Sequence, residues 1–243
     1  STQAKTLFPY TTLFRSGCRV DFPLQQTCCG QMFTNTGYFD EAMGSVRNYV
    51  DRFGDYDYIV GPSGSCVGAV RHQHEMLAEH AGDAGLAREA GEVAGRTYDI
   101  SEFLVDVLGV EATASDFAGR VTYHDSCSGL RELDIKAQPR LLLGSVGGLQ
   151  LAEMADTEVC CGFGGSFCVK YPEISGRLAD DKLARLAETG ADTLLCGDLG
   201  CLLHLAGRLK RCGSKVKVFH TAEVLAGLAD GDGIGGAAGG ASQ

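Results

Sequence analysis

The sequence predicts an α/β fold of two pseudo-symmetric, three-layer halves. Each half is expected to hold a parallel, Rossmann-like sheet, with cysteine turns at the C-terminal ends of strands. Three observations carry this expectation. Short apolar runs alternate with stretches of helical period, as they do in parallel sheets covered by helices. The triplet Cys-Cys-Gly occurs twice, at Cys28-Cys29-Gly30 and Cys160-Cys161-Gly162. Each triplet is followed by a helix-like segment and then a further cysteine, so the plan repeats.

Residues 1–16 stand apart. They have no clean period and no link to the rest of the chain, and they read as translated adapter sequence at the end of a truncated gene. They are therefore set aside as a non-native-looking segment. The first half is expected over 17–110 and is expected to be incomplete. Val20-Asp21-Phe22 reads as a short strand running into the first triplet. From Tyr38 to Phe53, apolar residues recur at helical spacing. Tyr58-Ile59-Val60 is a buried strand ended by Gly61-Pro62-Ser63-Gly64. Cys66 opens a helix to about His80. Residues 82–98 are rich in Gly, Ala and charge and stay open. Ser101 with Glu102 starts a helix through Leu108.

The second half is expected over 119–228. Val121-Thr122-Tyr123 is a strand ending at His124-Asp125-Ser126-Cys127. Pro139 suits the first turn of a helix through Leu143. Leu149-Gln150-Leu151 is a strand leading to the second triplet. Pro172 to Thr189 is helical, Thr193 to Cys196 a strand, and Cys201 opens a helix through Arg211. Val216 to Phe219 is a last strand, and Thr221 is expected to cap a last helix. A Gly- and Ala-rich tail, 229–243, is expected to be disordered.

Composition narrows the function. The formal net charge of −10 comes without a basic run, which argues against nucleic acid as a partner. No apolar run approaches the roughly 18 residues of a membrane span. No secretory signal is read, so the expected location is cytoplasmic. Eleven cysteines, an odd number in such a chain, point to metal or redox chemistry rather than a disulfide framework. The Gly162-Phe163-Gly164-Gly165 run lacks the Lys-Ser/Thr pair of a phosphate loop.

The repeat sorts the cysteines. Adjacent thiols close a ring only with strain, but they present two soft ligands to one metal centre. Aligning Ile59–Cys66 with Leu194–Cys201 matches Cys66 to Cys201, both at helix starts, where the dipole favours thiolate. Cys196 matches Gly61 and reads as a buried strand residue. Cys127 follows a strand and reads as a ligand. Its first-half counterpart would fall in residues 1–16, where no cysteine stands. Cys18, Cys168 and Cys212 read as small buried apolar residues. The histidines read as structural or exposed, His124 and His204 included, with His72 and His74 on a solvated helix face. Several thiolates per site fit zinc or an iron–sulfur cluster. The chain has no Cys-x-x-Cys knuckle, and adjacent thiolates at long spacings fit a cluster better.

Five passages carry a family resemblance. They are Asp21-Phe22-Pro23 with Gln26-Thr27-Cys28-Cys29-Gly30-Gln31, Tyr123-His124-Asp125-Ser126-Cys127, Cys160 to Gly165, Lys170 to Ser175, and Gly197-Asp198-Leu199-Gly200-Cys201-Leu202. Over about Gly17 to Leu228 the chain resembles the cysteine-rich CCG-domain family. That family includes the catalytic subunit of heterodisulfide reductase and the iron–sulfur subunits of glycolate and anaerobic glycerol-3-phosphate dehydrogenases. The resemblance implies that Cys127, Cys160, Cys161 and Cys201 hold one iron–sulfur centre, of 4Fe-4S type, while Cys28, Cys29 and Cys66 hold what remains of another. It also implies work beside two partner subunits, one ferredoxin-like, in oxidising L-lactate to pyruvate. The chain departs from the family pattern in the Cys-x4-Cys spacing of Cys196 and Cys201 and in the missing leading cysteine of the first copy. A disulfide-reducing subunit and a zinc-stabilised interaction module are the other readings.

Overall fold

The computed structural model describes residues 17–236. It is an α/β protein with two parallel sheets flanked by helices. The first sheet pairs β1 (Ile59–Gly61) with β2 (Thr97–Asp99). The second has strand order β4-β3-β5-β6, built from β3 (Asp116–Tyr123), β4 (Gly147–Leu151), β5 (Thr193–Cys196) and β6 (Lys217–His220). Every pairing is parallel.

The registers express the repeat. Ile59, Val60 and Gly61 face Thr97, Tyr98 and Asp99, as Leu194, Leu195 and Cys196 face Val218, Phe219 and His220. So β1-β2 corresponds to β5-β6, and Asp99 corresponds to His220. Each of these two residues caps the helix that follows, and each does so in a box with a glutamate three residues on, Glu102 or Glu223. The final helix is therefore capped by His220, not by Thr221 as expected. The imidazole Nδ1 accepts from Ala222 N at 3.1 Å.

Val20–Phe22 is not a strand. In the second sheet β4 pairs only with β3. Among the described residues the first sheet has no counterpart of β3, so a segment in the β4 position finds no ladder to join. Cys18 and Val20 instead pack partly against the core, and Phe22 is exposed. The segment 1–16 lies outside the described residues.

In the first half, α1 (Gln31–Thr34) leads to α2 (Phe39–Phe53), whose Ala42, Met43, Val46 and Val50 are buried. Next come α3 (Gly64–His80) and α4 (Ala84–Ala94), the latter capped by Asp83 accepting from Leu86 N at 3.1 Å. The stretch left open at 82–98 is thus helix and β2. The short α5 (Ile100–Glu102) runs into a π-helical turn, Phe103–Val107. In the second half, α6 (Cys127–Arg131) and α7 (Ala137–Gly144) follow β3. After β4 come α8 (Phe167–Lys170) and α9 (Pro172–Thr189). Pro172 starts α9 with a preset φ, and Gly190 ends it at φ 66°. The helices α10 (Leu199–Arg211) and α11 (Thr221–Leu225) complete the half.

Both faces of the second sheet are covered. Leu195, Val121 and Phe219 meet α7 and α11 on one face, together with Ile100, Phe103 and Leu104 from the first half. Leu194, Cys196 and Val218 meet α9 and α10 on the other. Full burial of one such leucine stabilises the fold by about 1.5–3 kcal/mol. The two halves therefore share a core. The tail expected to be disordered from 229 is placed as far as 236, because Ile234 N donates to Val218 O at 2.7 Å and its side chain packs on the core. Residues 237–243 lie outside the described residues. No described helix is long and apolar enough to cross a membrane.

Candidate metal centre

Both Cys-Cys-Gly turns depend on their glycine. Gly30 has φ 83° and Gly162 has φ 91°, a region that L side chains rarely adopt. A Cβ on Gly30 would sit 2.9 Å from Ser45 Cβ, and one on Gly162 would sit 2.5 Å from the Ser175 carbonyl oxygen. The tight turn lets the two cysteines before it face one point. Gly162 N donates to Cys160 Sγ at 3.3 Å.

In the second half the carboxyl ends of the strands gather the thiols, where an open parallel sheet binds its ligands. Cys127 begins α6 just after β3, and Cys201 is the third residue of α10 after β5. Cys127 neighbours Cys160, Cys160 neighbours Cys161, and Cys161 neighbours Cys201, each near enough to shift the other's proton affinity. The neighbouring Cys127 and Cys161 thiols pull Cys160 below the usual thiol range, and the Gly162 amide adds to this. The same neighbours, with burial, push Cys127 and Cys161 up. Cys201 is lowered by Cys161, but the adjacent Cys196 and its burial carry it upward overall. The four thiols thus share protons that a metal would displace.

Cys196 adjoins the group. It is fully buried at the end of β5, lies beside Cys201, and accepts from Asp198 N at 3.3 Å. The repeat predicts a strand residue there, and it is one, but its thiol also faces the group. His124 is completely buried, and a ring nitrogen lies with Cys161 Sγ and Cys201 Sγ inside 4.8 Å of one another. Neither ring nitrogen has a hydrogen-bond partner among the described residues. Burial, then the Lys182 charge, lowers its pKa to about 4. Leaving such a buried group unpaired costs about 1–3 kcal/mol. Lys182 is itself buried and donates to Asp156 O at 2.5 Å and Thr157 O at 3.1 Å. It thereby anchors the loop that leads to the second triplet.

The first half gathers Cys28, Cys29 and Cys66. Cys29 is raised by the neighbouring Cys66 thiol and by burial, and Cys66 is lowered by the neighbouring Cys29. Cys28, beside Cys29, is exposed. His74, expected on a solvated face, is buried, because α3 turns that face toward the cysteine turn. Its Nε2–H donates to Cys29 O at 2.8 Å.

One carboxylate joins the two groups. Asp198 Oδ1 accepts from Cys201 N at 3.2 Å, and Oδ2 accepts from Ser65 N at 2.8 Å and Ser63 Oγ at 3.0 Å. The helices that carry Cys66 and Cys201 therefore share a single N-terminal acceptor, one that suits the positive ends of both dipoles.

Residues 11–71 and 121–206 match the CCG family, described as "Cysteine-rich domain". The chain is 46% identical over 213 residues to "Lactate utilization protein A" of Oceanobacillus iheyensis, covering 88% of this chain and 86% of the relative. The chain belongs to the CCG cysteine-rich domain family. A second "Lactate utilization protein A", from Geobacillus kaustophilus, is 44% identical, covering 88% of each chain. "Uncharacterized protein YkgE" of Escherichia coli is also 44% identical, again with 88% of each chain covered.

Within this CCG chain, all seven cysteines expected as ligands fall into the two groups, four and three. Cys18, Cys168 and Cys212 stay outside. Cys168 Sγ donates to Gly165 O at 3.1 Å. Cys212, expected to be buried, is exposed, because it closes the C-terminus of α10 beyond the buried Leu209. His204 is partly buried, with Nε2 3.4 Å from Ser175 Oγ. The residue that sequence reasoning misses is His124. Its one signal is its place directly after a strand, at the end of the sheet where ligands converge.

Proposed function

We propose that this chain is a cytoplasmic iron–sulfur electron-transfer subunit of an assembly that oxidises L-lactate to pyruvate. The observation that carries the reading is the gathering of Cys127, Cys160, Cys161 and Cys201, delivered from three separate parts of the second half, each close enough to the next to shift its proton affinity. Soft thiols grouped in this way, beside a buried imidazole without a partner, fit a thiolate-held cluster of 4Fe-4S type. Cys28, Cys29 and Cys66 form a poorer set for a second one. The relatives' printed name supports lactate utilization as the setting.

When bound, such a cluster supplies one-electron transfer. The chain's own residues prepare for it. Gly30 and Gly162 let the turns close. Burial of Cys161 and Cys201 keeps water from the thiols. Lys182 contributes a positive charge that Cys160 and Cys161 feel, offsetting part of the thiolate charge. Two partner subunits, one ferredoxin-like, complete the assembly in this reading. The chain carries no flavin or nicotinamide fingerprint of the kind a hydride acceptor needs.

The test is anaerobic purification followed by iron and acid-labile sulfide analysis. Iron and sulfide in comparable amounts are the expected result. The isolated chain should not oxidise lactate with an artificial electron acceptor, and turnover by the chain alone would refute the electron-transfer role. A second reading rests on His124, Cys161 and Cys201, a mixed donor set that zinc also takes. Zinc without sulfide would establish that reading instead.

A further inference from the structure

The repeat leaves one side chain unexplained. His124 follows β3, and its backbone N donates to Leu195 O at 2.9 Å. The ring is thus delivered from the same end of the sheet as Cys196 and Cys201, and it is clamped there. It is wholly enclosed.

The polar groups around it are committed elsewhere. The Lys182 ammonium is held by the Asp156 and Thr157 carbonyls. Asp125 takes both arms of the Arg140 guanidinium at 2.8 Å. Asp198 accepts from Cys201 N, Ser65 N and Ser63 Oγ. What remains within reach of a ring nitrogen is Cys161 Sγ and Cys201 Sγ. Those are the two thiols deepest in the group.

A neutral imidazole has one bare nitrogen, which cannot donate a hydrogen bond but can bind a metal. We propose that His124 supplies a nitrogen ligand to the second-half centre, which is therefore a mixed cysteine–histidine site, with Cys161 and Cys201 as its nearest co-ligands. The inference rests on the reading that this thiol group holds iron. Among the described residues no such cluster of a histidine nitrogen with two thiols occurs in the first group.

The experiment is pulsed electron paramagnetic resonance on the full chain, purified anaerobically and reduced. It compares natural-abundance protein with protein labelled with ¹⁵N-histidine. A ¹⁴N coupling that becomes ¹⁵N on labelling is expected. It should vanish in His124→Asn and survive in His204→Asn. Iron-bearing protein without histidine coupling overturns the inference while leaving the iron–sulfur reading intact. Should His124→Asn fail to fold, the labelling comparison on the unaltered chain still decides whether a histidine binds. Loss of the coupling in His204→Asn would assign it to the wrong residue and overturn the inference. A chain without iron and sulfide removes the reading and this inference together.

Discussion

The two halves build one turn in two settings. Each has a Cys-Cys-Gly turn at positive φ and a cysteine at the third position of the next long helix after a short strand. The second half adds β3 and β4, and with them Cys127 and His124 at the carboxyl end of β3. Among the described residues the first half has neither strand, and its thiols number three. The turn alone therefore does not make the site. The fourth thiol and the buried imidazole arrive on the strand unit that only the second half shows.

Iron content gives the sharpest test of that contrast. Cys160→Ser or Cys201→Ser is expected to strip most of the bound iron, and Cys29→Ser a smaller share. Cys168→Ser and Cys212→Ser are expected to leave it unchanged. Equal loss from Cys29→Ser and Cys160→Ser would make the two groups equivalent and undo the contrast. Equal loss from Cys212→Ser would sink the ligand assignment.

A smaller contrast lies in the turns themselves. In Gly162→Ala the new Cβ meets a main-chain oxygen at 2.5 Å, and the residue is held at a φ that costs an L side chain about 1–2 kcal/mol. In Gly30→Ala the contact is a single serine side chain at 2.9 Å. Urea unfolding should register about 3 kcal/mol for Gly162→Ala and about 1–2 kcal/mol for Gly30→Ala. A larger cost at Gly30 would mean that the first turn is the more constrained one.

Much of this plan is legible in the residues. The helix Pro172–Thr189 and the strand Thr193–Cys196 have the boundaries that their patterns predict. Proline at the start and glycine after the end mark that helix, and the strand is apolar because both its faces are covered. The stretch 82–98 is opaque for a physical reason. Its buried face is made largely of Ala87, Ala90 and Ala94, which contrast weakly with an Ala- and Gly-rich background, and β2 is too short to show alternation. Val20–Phe22 misleads because a strand pattern says nothing of whether a partner strand exists. His124 is hidden because its lack of a partner is a property of the surrounding fold, not of any local pattern.

The last contrast concerns Asp99 and His220, equivalent positions that hold groups of opposite kind. Burial raises the Asp99 pKa to about 7 and lowers that of His220 to about 4. Between about pH 4 and 6.5 the unfolded chain protonates His220 and the folded chain does not, so stability is lost as pH falls through this window. For Asp99 the folded chain keeps a proton that the unfolded chain has released, so stability is lost as pH rises from about 4 to 7. Each effect is at most on the order of 3–4 kcal/mol, and the two oppose each other where the windows overlap. His220 protonation also removes the Nδ1 acceptor that caps α11 and acts on a ring whose Nε2 bonds the Pro62 carbonyl, so the acid loss falls at the junction of the halves. Stability measured by urea from pH 5 to 8 should therefore change little in the unaltered chain. His220→Asn should remove the acid-side loss and make the variant's stability fall as pH rises. Asp99→Asn keeps a side-chain oxygen for Ser101 N, which now bonds Asp99 at 2.8 Å. It should remove the alkaline-side loss and make stability rise with pH. Opposite slopes in the two variants are the expected result, and parallel profiles would mean that the two caps are not the titrating counterparts that the repeat makes them.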